Sequence, residues 1–424
     1  MAKNNSPIAW YGRLDLNEKR TLWACFGGWT LNSLDLFIFT FAIPAISVTL
    51  DMTPAQGLRV VAWTLVASAL GGWIAGILAD RYGRVLVLQI TILWFAVFGL
   101  LCAFVQEYWQ LLACRMLMGL GLGGEWAVGA VLLGEVIRAK DRGKALGTMQ
   151  SGWAVGLAIA FIVSIPMLTW GATYFRIKPD NAWRILLCVG LLPALLIFYI
   201  RRHIHDAEVY VETQKNLRAK RKVVNFWEIF APKTIKTTIL VTLLAAGVQG
   251  GFYVSSWFLD TLRNTRRIAE LATGRYIVAI ILGSIVGYLT AAYLNDRLGR
   301  RPTFIAFAVC AVGTIVALTL LAANDASVLI LGFFIALFAS GAFSGLGPVM
   351  TENFSTPLRG SGQAFSYNAA RLLAAGVPGL IAWLSERQSF NRTVDWIAIG
   401  AYGLVVIAAL LLPETKGKKL SSRV

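Results

Sequence analysis

The sequence predicts an all-α integral membrane protein with twelve transmembrane helices in two six-helix pseudo-repeats. Of the 424 residues, 57% are hydrophobic and 14% are charged, whereas a soluble domain carries about 25% charged residues. The hydrophobic residues fall into about twelve runs that are each long enough to cross a bilayer as a helix. Two loop motifs also recur at nearly the same offset in the two halves of the chain.

The individual spans follow from the ~20 mostly apolar residues that one helical crossing requires. The predicted spans are 22–48, 58–78, 86–105, 109–133, 145–169, 183–201, 235–259, 270–294, 303–322, 326–350, 361–384 and 394–412. We expect an N-terminal six-helix bundle over 1–201 and a C-terminal bundle over 235–424. A cytoplasmic connecting loop is predicted between them, over 202–234.

The formal net charge of +17 predicts membrane topology and contact with anionic lipid, with no nucleic-acid partner. If both termini are cytoplasmic, the cytoplasmic segments hold about 27 of the 39 Lys and Arg residues. Positively charged residues favour the cytoplasmic side in this way. We therefore predict a multi-pass protein of the plasma membrane (the inner membrane in a bacterium) with both termini in the cytoplasm.

Two pairs of polar loop motifs support the internal repeat. The segment 76–84 (GILADRYGR) and the segment 292–301 (AYLNDRLGRR) place their aspartates, Asp80 and Asp296, 216 positions apart. A second motif, E-x6-R-G, begins at Glu135 and again at Glu352, 217 positions apart. The shared offset favours two halves of the same orientation over independent tight turns, in which Gly, Asp and Arg are also common.

The loop 76–84 resembles the signature loop of the major facilitator superfamily, G-x3-D-[RK]-x-G-[RK]-[RK], with Val85 at the last basic position. The second copy departs at its first residue, Ala292. The resemblance covers essentially the whole chain, and it implies that these loops latch the two halves in one of two alternating states. The residues that we assign to gating are Asp80, Arg84, Asp296, Arg300, Glu135, Arg142, Glu352 and Arg359.

Charged residues inside the spans are the candidates for function, because each is costly at membrane depth unless it is paired or hydrated. Asp35 in the first span suits a helix-packing hydrogen bond, an ion pair or a proton carrier. Arg115 and Glu125 in the fourth span lie ten residues apart, roughly three turns, so they cannot pair directly. Each is expected to have another partner.

The eleventh span carries a third polar group. Tyr367 and Arg371 are separated by four residues and therefore lie one above the other on a single helix face. Asn368 follows Tyr367. The guanidinium of Arg371 is permanently charged and can hold a carboxylate through two hydrogen bonds, with Tyr367 and Asn368 as further donors.

Four segments resemble the organic-acid:proton symporters of the superfamily, particularly the sialate:proton and lactate:proton permeases. They are 34–37 (LDLF), 119–126 (GLGLGGEW), 150–156 (QSGWAVG) and 359–368 (RGSGQAFSYN). Many of these relatives carry D-x-x-D in the first span, where this chain has Asn32. The resemblance implies import of an organic acid anion, sialic acid or a small carboxylate, by proton symport through alternating access.

Asp35 and Glu125 are the expected proton-coupling residues. The expected substrate-binding residues are Arg371, Tyr367, Asn368, Arg115, Asn32, Gln150, Trp153, Gln249 and Tyr253. No catalytic residue, metal site or cofactor is predicted, because a proton gradient would drive the cycle. A monomer is expected.

Other functions share parts of this pattern. An aromatic-acid or sugar proton symporter would have the same fold. A drug:proton antiporter would carry a G-P-x-x-G-G-like signature in the fifth span. This chain has Gly147, Gly152, Gly156 and an isolated Pro166 there, so that pattern is absent. A non-transporting sensor remains an alternative, whereas no nucleophile, metal cluster or phosphate-binding loop favours an enzyme.

Overall fold

A computed structural model describes residues 9–174, 179–221, 224–266, 270–321 and 324–422, and these ranges contain helices and no β-strand. The predicted all-α class is confirmed. The first nine helices are α1 (Ala9–Gly12), α2 (Leu16–Thr49), α3 (Pro54–Tyr82), α4 (Arg84–Leu101), α5 (Tyr108–Val136), α6 (Arg142–Tyr174), α7 (Pro179–Cys188), α8 (Leu192–His203) and α9 (Glu208–Ala219). The others are α10 (Ile235–Arg266), α11 (Glu270–Arg297), α12 (Arg300–Leu321), α13 (Asp325–Ser344), α14 (Leu346–Asn353), α15 (Arg359–Ala374), α16 (Val377–Ser385) and α17 (Phe390–Leu411).

Within the described ranges, eleven helical segments are long and apolar enough to cross a membrane, and they match eleven of the twelve predicted spans. The predicted span 361–384 is formed by two successive helices and is therefore not among the eleven. The chain there forms α15 and α16, which are separated at Ala375 and Gly376. Pro378 lies in the first turn of α16. Proline has no N–H to donate to the preceding turn, so it favours the start of a new helix.

The predicted connecting loop over 202–234 contains regular structure. It includes α9 and a 3-10 helix, Phe226–Phe230. Gln214 of α9 donates a hydrogen bond of 2.8 Å to the carbonyl oxygen of Asp80, at the end of α3. The connection is therefore packed against the end of the helices that carries Asp80, Arg84, Asp296 and Arg300, which we call the latch face.

Close helix packing in the first half depends on glycine. A Cβ atom on Gly123 of α5 would lie 1.6 Å from the carbonyl oxygen of Ser68 in α3. A Cβ on Gly71 would lie 1.9 Å from the carbonyl oxygen of Leu120. Small residues let helix backbones approach in this way, and van der Waals packing is a main source of helix association in lipid.

We expect Gly123→Ala to destabilise the protein. The added methyl has no space between α3 and α5, and overpacking of a closely packed site typically costs ~1–3 kcal/mol. Thermal unfolding of the detergent-purified protein should show a lower midpoint. Gly313→Ala is the matched control, because a Cβ added at Gly313 would meet no heavy atom within 4 Å. Equal midpoints for the two variants would contradict the packing argument.

Candidate functional site

A cavity of about 220 Å³ lies between α2, α3, α5 and α6 on one side and α10, α11, α13 and α15 on the other. Ser68 is at the middle of α3 and lines it, so the cavity lies halfway between the two ends of the helices. Its volume is below the ~300–1,000 Å³ typical of pockets for drug-sized ligands. Nine of its twenty lining residues are aromatic. The site therefore suits a small ligand with a flat or apolar face.

Arg371 places a guanidinium in this cavity. It lies near the C-terminal end of α15, is 8% exposed, and donates a hydrogen bond of 2.9 Å from Nη1 to Ser68 Oγ across to α3. Its guanidinium carbon is 5.1 Å from the centroid of the Tyr367 ring, as the four-residue spacing predicted. Among the described residues, no carboxylate lies within ion-pair distance of Arg371. The group is thus an uncompensated positive charge in the cavity wall.

Arg115, the second cavity guanidinium, is paired. Its Nη1 lies 3.1 Å from Oδ2 of Asp35, and both side chains are buried. The ring of Phe39 is 3.6 Å from the guanidinium carbon. Nε and Nη2 of Arg115 are buried without a hydrogen-bond partner among the described residues. Asp35 is therefore the partner expected for Arg115. The pair is neutral, and two of the three guanidinium nitrogens have no hydrogen-bond partner among the described residues.

Glu125 is fully buried between α2 and α5 and does not line the cavity. Its Oε2 accepts a hydrogen bond of 3.3 Å from Asn32 Nδ2, while Oε1 has no hydrogen-bond partner among the described residues. Gly28 of α2 lies against this carboxylate, and a Cβ there would be 2.5 Å from Oε1. The partner of Glu125 is thus an amide, in contrast to the guanidinium beside Asp35.

Aromatic contacts join the cavity wall across the two halves. The ring of Trp126 stacks on Tyr367 with centroids 3.6 Å apart, and Trp126 Nε1 donates to Gln150 Oε1 at 2.8 Å. Gln249 of α10 donates to the carbonyl oxygen of Tyr367 at 2.9 Å. The ring of Trp153 lies 5.5 Å from Phe37. Trp29 joins these contacts into one wall, because its ring centroid lies 6.3 Å from that of Trp126 and 4.9 Å from that of Trp153.

The structure brings together most of the residues predicted to bind substrate. The predicted residues that line the cavity are Arg115, Gln150, Trp153, Gln249, Tyr253, Tyr367 and Arg371. Asn32 and Asn368 lie outside it: Asn368 Nδ2 donates to Ala364 O, and Asn32 Nδ2 donates to Leu122 O. Ser68 and Tyr288 also line the cavity. Neither was predicted, because isolated Ser and Tyr residues in apolar helices belong to no motif.

The first loop motif forms a charged network between the halves on the latch face. Asp80 accepts hydrogen bonds from the backbone N–H groups of Gly360 (3.0 Å) and Ser361 (2.7 Å) at the start of α15. Arg84 lies 3.1 Å from Asp80 Oδ1 and 3.1 Å from Glu135 Oε2. Arg359 of α15 also pairs with Glu135. A carboxylate is favourable at a helix N-terminus, where N–H groups are free.

The second loop motif repeats this arrangement. Asp296 accepts hydrogen bonds of 2.9 Å from the backbone N–H groups of Gly143 and Lys144 at the start of α6. Arg300 lies 2.8 Å from Asp296 Oδ1 and 2.7 Å from Glu352 Oε1. Arg142 of α6 lies 3.0 Å from the same Glu352 oxygen. The eight residues assigned to gating therefore form two similar clusters, and each cluster contains bonds that join the two halves.

Two further carboxylates, which no motif indicated, support the same loops. Asp206 accepts hydrogen bonds from the N–H groups of Arg84 (2.8 Å) and Val85 (3.0 Å). Glu414 accepts hydrogen bonds of 3.0 Å from those of Arg300 and Arg301. Burial raises the pKa of Asp206. For Glu414 burial acts in the same direction, but the backbone N–H donors outweigh it and the pKa is lowered.

The signal that could have identified these two residues is their position. Each carboxylate follows the last helix of its half by a few residues, after α8 and after α17. Each also lies beside a turn glycine of positive φ, 112° at Gly83 and 120° at Gly299, where a Cβ would meet the carboxylate at 2.6 Å. The repeat thus extends to the carboxylates that cap α4 and α12.

Comparison with known proteins agrees with this architecture. The family model described as Major Facilitator Superfamily matches residues 25–265. The model described as Sugar (and other) transporter matches residues 212–422. Among solved structures, the proton:xylose symporter XylE has a TM-score of 0.79 at 18% identity, covering 95% of this chain and 98% of that chain. This likeness supports the fold.

Curated relatives are similar over almost the full chain. A probable 4-methylmuconolactone transporter of Cupriavidus pinatubonensis is 40% identical over 413 residues, which are 97% of this chain and 94% of that protein. The cis,cis-muconate transport protein of Acinetobacter baylyi is 28% identical over 393 residues, 91% of this chain and 92% of that protein. The family model covers more than half of the chain, and one relative is 40% identical over 97% of it. The chain therefore belongs to the major facilitator superfamily of membrane transporters.

Proposed function

We propose that the protein is a secondary active transporter that imports a small organic acid anion together with a proton, by alternating access. The observation that carries the proposal is Arg371, a cavity guanidinium without a carboxylate partner in the described chain. The relatives named for 4-methylmuconolactone and cis,cis-muconate support an organic-acid substrate. We place the protein in the plasma membrane with the latch face toward the cytoplasm, in accordance with the positive-inside rule.

The cavity chemistry narrows the substrate class. Asp35 and Arg115 compensate each other, so Arg371 leaves the cavity with one net positive charge. One carboxylate would neutralise it. The aromatic wall, with few polar groups, suits an unsaturated or aromatic carbon skeleton better than a polyhydroxylated sugar, whose hydroxyls would need partners. The favoured substrate is therefore a small unsaturated or aromatic carboxylate.

The Asp35–Arg115 pair offers a mechanism for proton coupling. A proton on Asp35 removes its negative charge and releases Nη1 of Arg115, whose Nε and Nη2 already lack a hydrogen-bond partner among the described residues. The freed guanidinium then attracts the substrate carboxylate alongside Arg371. Proton binding and substrate binding each favour the other, as reciprocal linkage requires. Glu125 is the second proposed proton site, because a carboxyl group buried without a cation favours its neutral form.

Uptake into proteoliposomes tests the proposal. With a more acidic exterior, we expect accumulation of cis,cis-muconate or benzoate, and loss of that accumulation when a protonophore is added. Sialic acid, lactate and xylose are the comparison substrates, and protein-free liposomes are the control. Accumulation of xylose alone would overturn the organic-acid proposal and favour a sugar symporter. Uptake of the acids that does not respond to the proton gradient would overturn the coupling.

A further inference from the structure

A second cavity lies on the latch face, separate from the central one. It has a volume of about 450 Å³ and is lined by the end of α3, by α9, by residues 224–226 and by the residues around the start of α15. Three arginines line it: Arg81, Arg218 and Arg221. We call it the arginine pocket. It is built from both halves of the transporter and from the connection between them.

The charges in the arginine pocket are not balanced. In the part of the chain that the structure describes, no carboxylate forms an ion pair with Arg81, Arg218 or Arg221, and all three side chains are exposed. Asp80 is the acidic residue in the wall. Its oxygens already accept the N–H groups of Gly360 and Ser361, and Arg84 pairs with it. Asp80 is therefore compensated within the latch, and three positive charges remain.

Contacts of α9 bring Arg218 close to Arg81. Gln214 donates to the carbonyl oxygen of Asp80, the residue before Arg81. Arg218 lies four residues after Gln214 and therefore on the same face of α9. Leu217, also in the pocket wall, is buried. The docking of α9 thus directs Arg218 toward the end of α3, where Arg81 is located.

We propose that the arginine pocket binds a phosphate group, carried by an anionic phospholipid or by a soluble phosphorylated compound. Arginine is suited to phosphate because its planar guanidinium presents several N–H donors in a fixed fork. Basic pockets between helices on the cytoplasmic side are typical sites for anionic headgroups. Phe226 lines the pocket, and its neighbour Trp227 is 68% exposed. Aromatic residues are enriched at the membrane interface, so the headgroup level is the expected depth.

Binding at this site is linked to the conformation of the transporter. Asp80 and Arg81 belong to the first half, whereas Leu358 and Ser361 belong to the second, and all four line the pocket. Release of Asp80 from the start of α15 would separate the two walls. A ligand that fits the closed pocket therefore stabilises the state in which the latch face is closed. This site does not depend on the identity of the transported substrate.

The test uses the full-length protein in detergent. Thermal unfolding is followed while phosphatidylglycerol, phosphatidylcholine, inorganic phosphate or glycerol phosphate is added at constant ionic strength. We expect a higher midpoint with phosphatidylglycerol than with phosphatidylcholine. Stabilisation by the lipid alone assigns the site to a headgroup, and stabilisation by the soluble phosphates as well assigns it to a free anion. If neither the lipid nor the soluble phosphates specifically raise the unfolding midpoint, the proposal is overturned.

The triple variant Arg81→Gln, Arg218→Gln, Arg221→Gln should bind the stabilising ligand about 100-fold more weakly, because each arginine contributes a factor of about five to the affinity. The matched control is Arg201→Gln, Arg202→Gln, Lys215→Gln. It removes three exposed positive charges, two at the end of α8 and one in α9, that do not line the pocket. The control should retain the stabilisation.

Amide exchange provides a second readout. The backbone N–H groups of Gly360 and Ser361, which donate hydrogen bonds to Asp80, should exchange more slowly with solvent when ligand is bound to the unmodified protein. The single variant Arg218→Gln should show the same slowing at a higher ligand concentration. Equal ligand responses of the two triple variants would overturn the assignment to these arginines.

Discussion

Replacing Arg371 by lysine should weaken carboxylate binding by about 10- to 100-fold. A hydrogen bond to a charged group contributes ~1.5–3 kcal/mol, and lysine cannot reproduce the two parallel N–H donors of the guanidinium. Expression and thermal stability should change much less, because Arg371 contacts neutral groups, Ser68 and Tyr367, and its replacement leaves no buried carboxylate unpaired among the described residues. Binding is measured by calorimetry or by intrinsic tryptophan fluorescence, since Trp29 and Trp153 line the cavity.

Ser68→Ala and Arg392→Lys are the controls for Arg371. Ser68→Ala removes the contact that positions the guanidinium but keeps the charge, so a smaller loss of affinity is expected. Arg392 is exposed on α17 and does not line the cavity, so its replacement should have no effect on binding. An unchanged dissociation constant in Arg371→Lys would assign Arg371 to helix packing between α15 and α3.

Replacing Asp35 by asparagine should abolish uphill uptake. The variant cannot take up a proton at the Asp35–Arg115 pair, so an inward proton gradient no longer drives accumulation. Substrate exchange across the membrane should persist, because Arg371 and the now unpaired Arg115 still attract the carboxylate. Counterflow and proton-driven uptake are therefore measured on the same proteoliposomes. Full accumulation by Asp35→Asn would exclude Asp35 as an essential proton site.

The stability of the same variant tests the ion pair. Removing one member of a buried pair costs ~3–5 kcal/mol because the other charge is left uncompensated. We therefore expect a lower unfolding midpoint in Asp35→Asn and partial recovery when Arg115→Gln is added. Glu125→Gln is the comparison, because Glu125 contacts an amide and its removal leaves no unpaired charge. Additive effects of Asp35→Asn and Arg115→Gln would show that the two side chains do not interact.

Most of the fold was predictable because hydropathy and loop chemistry are local properties of the chain. Eleven of the twelve spans follow from the length of apolar runs alone. The break between α15 and α16 could not be predicted from hydropathy, because Gly376 and Pro378 lie inside a run that is apolar enough to span the bilayer. The offset of the two loop motifs indicated that Asp80 and Asp296 are equivalent, and their equivalent bonds to α15 and α6 agree with it.

The residues that form the site could largely be predicted from the sequence, but the contacts between their side chains could not. Scarcity of charge in the spans identified Asp35, Arg115, Glu125 and Arg371. Nothing in the sequence indicated that Asp35 pairs with Arg115, 80 positions away, while Glu125 contacts Asn32. Nor did it indicate that Asn368 turns away from the cavity. Such choices depend on the rotation of each helix against its neighbours.

The sequence by itself determined that this protein crosses the membrane many times, that it is built as a repeat, and which rare charges are buried. These properties depend on the free energy of transfer from water to lipid, which is summed along the chain. Only the tertiary structure decided which of those charges are compensated. That outcome depends on distances of about 3 Å between residues on different helices: Asp35 neutralises Arg115, whereas no carboxylate among the described residues pairs with Arg371.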